Sequence, residues 1–440
     1  SHFYPLLGNE TSITGKLLKD LEVPTEWIKM DPVDLFHFPD GSRFSVPSDF
    51  DTYLHQVKSE FPEEVDAIDA FFAEVREAYM YGLLHYFRKR RVDRIKAYKD
   101  LTVTQVLDKH FKDRKLKLLL TADSPHWGLP PERTSFVFDS MLRLSYFLGN
   151  YYPVGGSQVF SDDLAMRFEE QGGHILMNTM VNRIITEDGA VTGIEVETGS
   201  FRNRYTRTVL AEIIVSNADL IQTSETLLGK EILGEAYLDS LRKLRPTFPC
   251  YLMHIGLEGV DNSVLEEAQG YYWNSWDTSL MGRDGLKFKI FAPTLLEPSM
   301  APQGCHAIVI QKILDMSYRT VSTWSDHKSS VDDYIMENLE GVIPGITDQI
   351  TVRLSASAQT AFRFTRNTQG AMLGWEASPD QLGDKRPDIY GPLKNLFYTG
   401  HWVQPGGGIT PVIVSAMQVA DAITSGKHRT APDSPQRQQT

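Results

Sequence analysis

The stretch Asn395 to Thr424 constrains this chain more than any other. Leu396-Phe397-Tyr398 is short, apolar and aromatic, as a buried strand requires. Thr399-Gly400-His401-Trp402-Val403-Gln404-Pro405 follows, and then three glycines, Gly406, Gly407 and Gly408. A turn without Cβ atoms lets backbone approach a bound group closely. Pro411 suits the first turn of a helix, where its missing N–H costs nothing. Val412, Ala416, Val419, Ala420 and Ile423 then recur at helical spacing, with Ser415, Ala416 and Ala420 keeping one face thin. A strand, a glycine turn and a helix in that order set a helix N-terminus, with its partial positive charge, at a strand end.

Such an N-terminus suits a phosphate, a carboxylate or the pyrimidine edge of a flavin. A tight structural loop ahead of a packing helix uses the same glycines, so glycine content alone does not choose. The wording of the stretch is more specific. Leu396-Phe397-Tyr398-Thr399-Gly400-His401-Trp402 running into Pro405-Gly406-Gly407-Gly408-Ile409 resembles the C-terminal flavin segment of the phytoene-desaturase-like flavoproteins, which include bacterial phytoene desaturases, carotenoid isomerases and retinol saturases. In them the strand and turn pass the ribityl chain, and the helix start faces the pyrimidine ring. By this resemblance Gly400, His401, Gly407, Gly408, Ile409 and Val412 contact FAD.

A second run carries the same likeness. Tyr152-Pro153-Val154-Gly155-Gly156 leads into Phe160, Leu164 and Phe168 at i, i+4 and i+8, which predicts an amphipathic helix over 157–171 ended by Gly172-Gly173. His174–Asn178 reads as a strand, Val181–Ile185 as the next, and Asp188-Gly189 as the turn into Val191–Val196. Thr208–Ala211 and Ile213–Val215 are further strands, leading to Ser216-Asn217-Ala218-Asp219. That order is the family's. It implies that Val181 contacts the adenine through its backbone, and that Ser216, Asn217 and Ala218 pass the phosphate and adenosine side. Without the resemblance, Val181 is ordinary strand core.

One family hallmark does not occur. No strand leads into Gly-x-Gly-x-x-Gly with a later acidic residue for the ribose. A segment like Ser1-His2-Phe3-Tyr4 follows that unit in the family, so the chain reads as N-terminally truncated. Gly8 to Lys16 has the wrong spacing for a phosphate loop, and Leu17 stands where Ser or Thr belongs.

With 440 residues the chain can bury a large core and form two domains. A net charge of −13 argues against nucleic acid as a partner. Cys250 and Cys305 are the only cysteines, which excludes a disulfide scaffold and fits a reducing, cytoplasmic setting. Residues 49–112 read as mainly helical. Within them Tyr79, Tyr81, Leu83, Leu84, Tyr86 and Phe87 run into Arg88-Lys89-Arg90-Arg91, then Arg94, Lys96 and Lys99. A solvated basic helix face has this pattern, and so does a peripheral contact with anionic membrane over Tyr79–Lys99. His126-Trp127-Gly128-Leu129-Pro130-Pro131 is a rigid turn. In 236–385, Tyr251–Leu257, Phe288–Phe291 and His306–Gln311 read as strands and Asp332–Leu339 as a helix. Ala361–Thr368 with Gly374-Trp375-Glu376 resembles the family segment nearest the substrate, which nominates Phe362 and Trp375 for an apolar tunnel; plain core has the same aromatics.

The fold class that follows is α/β: a two-domain flavoprotein in which a Rossmann-like, glutathione-reductase-type FAD domain is interleaved with a mixed α+β substrate domain. Residues 1–12, 150–235 and 386–425 form the first, residues 13–149 and 236–385 the second, and 426–440 a disordered polar tail. The twelve histidines are scattered, without metal-ligand spacing, and there is no Gly-x-Ser-x-Gly. The difficult chemistry is then the cofactor's, and the resemblance implies a long apolar isoprenoid substrate and desaturation, isomerisation or saturation. His401 stands where many relatives in the wider superfamily have an acidic residue; it contacts the ribityl or phosphate region or serves as an acid by the ring. His2 is a weaker candidate. Two other readings stand beside this one: an amine or amino-acid oxidase with a polar pocket, and a truncated lipid-binding homologue without catalysis. The oligomeric state is not legible.

Overall fold

The computed structural model describes residues 4–200, 202–314 and 324–426. His2 and residues 427–440 of the expected tail lie outside them. The chain divides into two units, one of residues 1–167, 248–361 and 377–379, the other of 168–247, 362–376 and 380–440.

The first unit is built on a seven-stranded sheet in the order Ile350–Ala356, Cys250–Glu258, Cys305–Ile313, Leu286–Phe291, Gly270–Trp273, Asp34–His37, Arg43–Val46. All neighbours are antiparallel except Gly270–Trp273 with Asp34–His37. Alternation decides which face is buried: Tyr251, Met253, Ile255 and Leu257 point inward from one strand, and Met253 and Ile255 sit opposite Ile310 and Ile308. Val331, Ile335 and Leu339, four residues apart on the helix Trp324–Val342, close this core. A smaller antiparallel sheet joins Tyr4–Pro5, Asn150–Pro153 and Trp27–Lys29. The helices Phe50–Glu60, Val65–Gly82, Val103–His110 and Phe136–Phe147 account for the helical reading of 49–112 and its continuation. Val65–Gly82 packs on Phe136–Phe147, and a Cβ on Gly82 would come within 2.7 Å of Val137.

The second unit holds an antiparallel meander, Met180–Glu187, Ala190–Ser200 and Asn203–Leu210, and a parallel pair, Ile214–Ser216 with Leu396–Tyr398. The helix Ile409–Thr424 follows the second strand of that pair. Leu220, Leu228, Leu238, Leu241, Phe397, Trp402 and Val419 share its core.

Two expectations are corrected here. His174–Asn178 is not a strand: pairing begins at Met180, Asn178 adopts a left-handed φ of 53°, and Leu176 and Met177 are 64% and 76% exposed. An apolar run becomes a strand only where another strand takes up its backbone groups, and none does so here. The C-terminal helix is also rotated from the face expected. It buries Pro411, Val414, Ser415, Val419 and Ala422, whereas Ala416 and Ala420 are exposed. In a helix apolar on most sides periodicity leaves the rotation open; hydrogen bonds of Ser415 set it.

Candidate functional site

The parallel pairing Leu396↔Ile214, Phe397↔Val215 and Tyr398↔Ser216 brings two strand ends side by side. Ligands of open α/β sheets bind beyond such carboxyl ends. Thr399 donates its N–H to the Ser216 carbonyl at 3.0 Å, which carries the pairing one residue past the strand. Ser216 Oγ lies 2.9 Å from Thr223 Oγ1, while Asn217 and Ala218 are exposed. The Asn217 side chain lies across Gly400, where a Cβ would stand 2.1 Å from its Oδ1. With φ at +94°, Gly400 has both a steric and a conformational reason to be glycine.

The helix is tied to this strand end by one hydroxyl. Ser415 Oγ accepts from the Gly400 N–H at 2.9 Å, lies 2.9 Å from Thr399 Oγ1 and donates to the Val412 carbonyl at 2.8 Å. Gly408 is the N-cap, at φ +108°, and no side chain caps the helix. A Cβ on Gly408 would meet only the Pro411 ring, at 3.4 Å, so this side of the turn is open. Gly407 is the opposite case: its Cβ would come within 2.4 Å of the Leu373 carbonyl. Gly374, at φ +72°, lies equally close to the His401 carbonyl.

These approaches gather Gly400, His401, the glycine turn and Trp375 into one constellation. The Trp375 and Trp402 rings meet edge to face at 4.6 Å, and His401 and Trp402 at 5.1 Å. Burial, and then the nearby Arg386 charge, push the His401 imidazole down to about 4. His401 is therefore neutral at pH 7, a hydrogen-bonding group and not a ready proton donor. Val181 lies on the first meander strand opposite Val196, with a register irregularity just after it. Phe362 lies on the helix Ala358–Thr365, 37% exposed, with the Arg366 guanidinium over its ring.

Sequence reasoning missed two residues. Asp219, buried, caps the following turn through Gln222 N at 2.9 Å and holds Thr368 N at 2.6 Å and Thr368 Oγ1 at 3.0 Å. Burial raises its carboxyl above the usual range. The Asp ending Ser-Asn-Ala-Asp was the available signal. Arg386 is 2% exposed and donates through Nη2 to the carbonyls of Trp375, at 2.5 Å, and Glu376, at 3.0 Å. Its Nε and Nη1 have no acceptor, nor have Nε1 of Trp375 and Trp402. In Gly-Asp-Lys-Arg-Pro nothing sets it apart from a surface loop.

The open Gly408 side and the uncapped helix start fit a flat, acceptor-rich heterocycle such as the flavin ring. Among the described residues no three His, Cys, Asp or Glu are grouped to hold a metal.

The first unit has its own buried polar cluster. Lys289 Nζ donates to Asp34 Oδ2 at 2.5 Å, with 4% and 7% of the two side chains exposed. Arg143 forks onto Asp139 at 3.0 and 2.9 Å. Asp123 Oδ1, 3.9 Å from Arg143, accepts no hydrogen bond, and burial pushes its carboxyl up to about 6. Asp34, Asp123, Arg143, Tyr53 and Tyr146, with apolar side chains, line a small cavity.

Comparisons with known proteins give the family. The family model of flavin-containing amine oxidoreductases matches residues 16–424. The neurosporene-forming phytoene desaturase of Cereibacter sphaeroides is 25% identical over 95% of this chain and 82% of its own length. The zeta-carotene-forming phytoene desaturase of Myxococcus xanthus is 23% identical over 91% and 79%. Among solved structures, an oxidoreductase from Methanosarcina mazei superposes with a TM-score of 0.65 at 17% identity, covering 96% of this chain and 87% of that one. Putrescine oxidase bound to putrescine gives 0.62 at 12%, covering 94% and 87%; both likenesses are of fold. The chain belongs to the flavin-containing amine oxidoreductase family, as a phytoene-desaturase-like, FAD-dependent oxidoreductase with a two-domain α/β fold.

Proposed function

We propose that this oxidoreductase acts on carbon–carbon bonds of a long apolar isoprenoid of carotenoid type. The observation that carries the reading is the run of relatives matched across nine-tenths of the chain, which are named as desaturases of phytoene, zeta-carotene and 1-hydroxycarotenoid. Bound FAD supplies the hydride acceptor. Gly400, Gly407, Gly408, Ile409 and Val412 would hold its ring end, and Ser216, Asn217, Ala218 and Val181 its phosphate and adenosine end. The helix start at Ile409 favours negative charge beside it. The buried Trp375 and Trp402 rings keep water from the turn, and a neutral His401 contributes hydrogen bonds without a charge. Desaturation is the direction proposed, as the relatives' names have it: one hydrogen would leave as hydride to bound FAD, and one from the neighbouring carbon as a proton to water or a weak base.

No described helix is long and apolar enough to cross a membrane. A substrate that dissolves in bilayers still has to be reached, and Tyr79–Lys99 is the proposed membrane contact. There the helix Val65–Gly82 ends in a wide turn, Leu83–Phe87, followed by exposed Arg88, Lys89, Arg90 and Arg91, and Met80 is 52% exposed.

The test is FAD-loaded protein incubated with phytoene in liposomes and, separately, with amines. New long-wavelength polyene absorption with phytoene is expected. Hydrogen peroxide from amines, with phytoene unchanged, overturns the reading in favour of an amine oxidase.

A further inference from the structure

Arg386 is the only buried cation among the described residues of the second unit. A guanidinium taken out of water is costly unless a carboxylate or a full set of acceptors meets it. Here Nη2 has two backbone carbonyls, and Nε and Nη1 have nothing. The carboxylates around it are engaged elsewhere: Asp384 is exposed, Asp388 Oδ1 accepts from the Ile389 N–H at 2.7 Å, and Arg245 takes Glu376 Oε2 at 3.2 Å and both oxygens of Asp380 at 2.8 Å. The Arg386 charge is thus held in the interior without a counter-charge.

Its place gives that charge a use. A Cβ on Gly406, at φ +134°, would stand 2.4 Å from Arg386 Nη1, so the guanidinium packs directly against the backbone of the glycine turn. The Arg386 carbonyl accepts from Gln404 Nε2 at 3.0 Å, and the Gln404 N–H donates to the Pro387 carbonyl at 3.0 Å, which fixes the turn and the arginine together. A hydride carries two electrons and one proton, so a neutral ring that accepts one gains one negative charge. A positive charge fixed in a poorly polarisable interior favours that gain, and the helix start adds to it with the same sign.

We propose that Arg386 is the internal counter-charge that raises the reduction potential of the FAD bound at the Gly406–Ile409 turn, a positioning residue acting through its field. The proposal rests on the cofactor assignment above. The test uses the full chain loaded with FAD, in wild type, Arg386→Gln and Arg386→Lys, with loading read from flavin absorbance. Each is equilibrated without oxygen against a reference dye under a chemical reductant, and the oxidised-to-reduced ratio of the flavin is read. Arg386→Gln is expected to shift the ratio at least tenfold toward oxidised flavin, about 30 mV for a two-electron couple. Arg386→Lys is expected to stay within threefold of wild type at low pH and to fall away as pH rises, because a buried lysine gives up its proton where arginine does not. Should Arg386→Gln not fold, that pH profile carries the test alone. Fully loaded Arg386→Gln with the wild-type ratio, or an Arg386→Lys profile parallel to wild type, overturns the proposal while leaving the cofactor site standing. Wild type that takes up no FAD at all overturns the cofactor site, and the proposal with it.

Discussion

Replacing Gly400 by alanine separates the two reasons for glycine at the strand end. The first is conformational: a non-glycine residue at a positive φ, here +94°, costs about 1–2 kcal/mol. The second is the Asn217 amide oxygen, 2.1 Å from the new methyl, which must move by more than an ångström to reach ordinary contact. Asn217 is exposed and its side chain can swing out, so this part of the strain is removable. Gly400→Ala is expected to lower the thermal midpoint of the second unit by several degrees, at roughly 2–4 °C per kcal/mol for a unit of this size. In an Asn217→Ala background the same substitution keeps only the conformational part, about 1–2 kcal/mol. FAD affinity follows a different rule. The methyl occupies the strand end beside the proposed cradle whether or not Asn217 is there, so both alanine variants at position 400 are expected to bind FAD at least tenfold more weakly. Scanning calorimetry measures the first quantity and flavin fluorescence titration the second. Wild-type FAD affinity in the double variant would refute the reasoning, because the bare backbone at Gly400 would then serve folding and not the cofactor.

Other predictions concern the buried charges and the basic surface. Burial drives Asp34 up and Lys289 down, both toward their neutral forms, so desolvation outweighs their attraction. Lys289→Met alone is expected to cost about 3–5 kcal/mol in denaturant unfolding, and Asp34→Leu with Lys289→Met much less; equal losses would refute it. Asp123, raised from 3.8 to about 6, contributes stability that is complete below its unfolded value and lost as pH rises through about 6. Asp123→Asn should therefore gain on wild type between about pH 4 and 6, by up to ~3 kcal/mol, and a pH-independent difference would contradict the assignment. Arg88→Gln with Arg90→Gln is expected to weaken sedimentation with anionic liposomes by about 2 kcal/mol, at ~1 kcal/mol per basic residue near the surface. No change, or equal pelleting of wild type with neutral vesicles, counts against the membrane contact.

What could be read from the sequence was local. Gly406-Gly407-Gly408 and Pro411 restrict backbone angles wherever they occur, so strand, turn and helix start were legible without a partner. Alternation in Tyr251–Leu257 and His306–Gln311 announced strands in the same way. Properties set by distant residues were not legible. His174–Asn178 is apolar enough for a strand and has no neighbour to pair with. The rotation of Ile409–Thr424 depends on Ser415 reaching Thr399 and Gly400, a contact the helical period does not contain. Lys385 and Arg386 are adjacent and alike in type, yet one is exposed and the other is shut behind Gly406. Only the folded arrangement of Trp375, Glu376 and Gln404 separates them.

The strand pairing has a consequence for how the molecule comes into being. Leu396–Tyr398 pairs with Ile214–Ser216, and Ser415 locks the end of that pair, so the proposed cradle draws on residues about two hundred positions apart. The first unit is threaded in the same way, its sheet joining Asp34–Val46 to strands from Cys250 to Ala356. The parallel pair of the second unit cannot form until Leu396–Tyr398 has been made. Ile214–Ser216 must wait on the ribosome with an open edge, and the exposed Val215 and Leu210 stay available to any other strand. Folding of this kind is slow and exposed to aggregation. Yield from a host with ample chaperones, more than stability once folded, should set how much of the protein can be made.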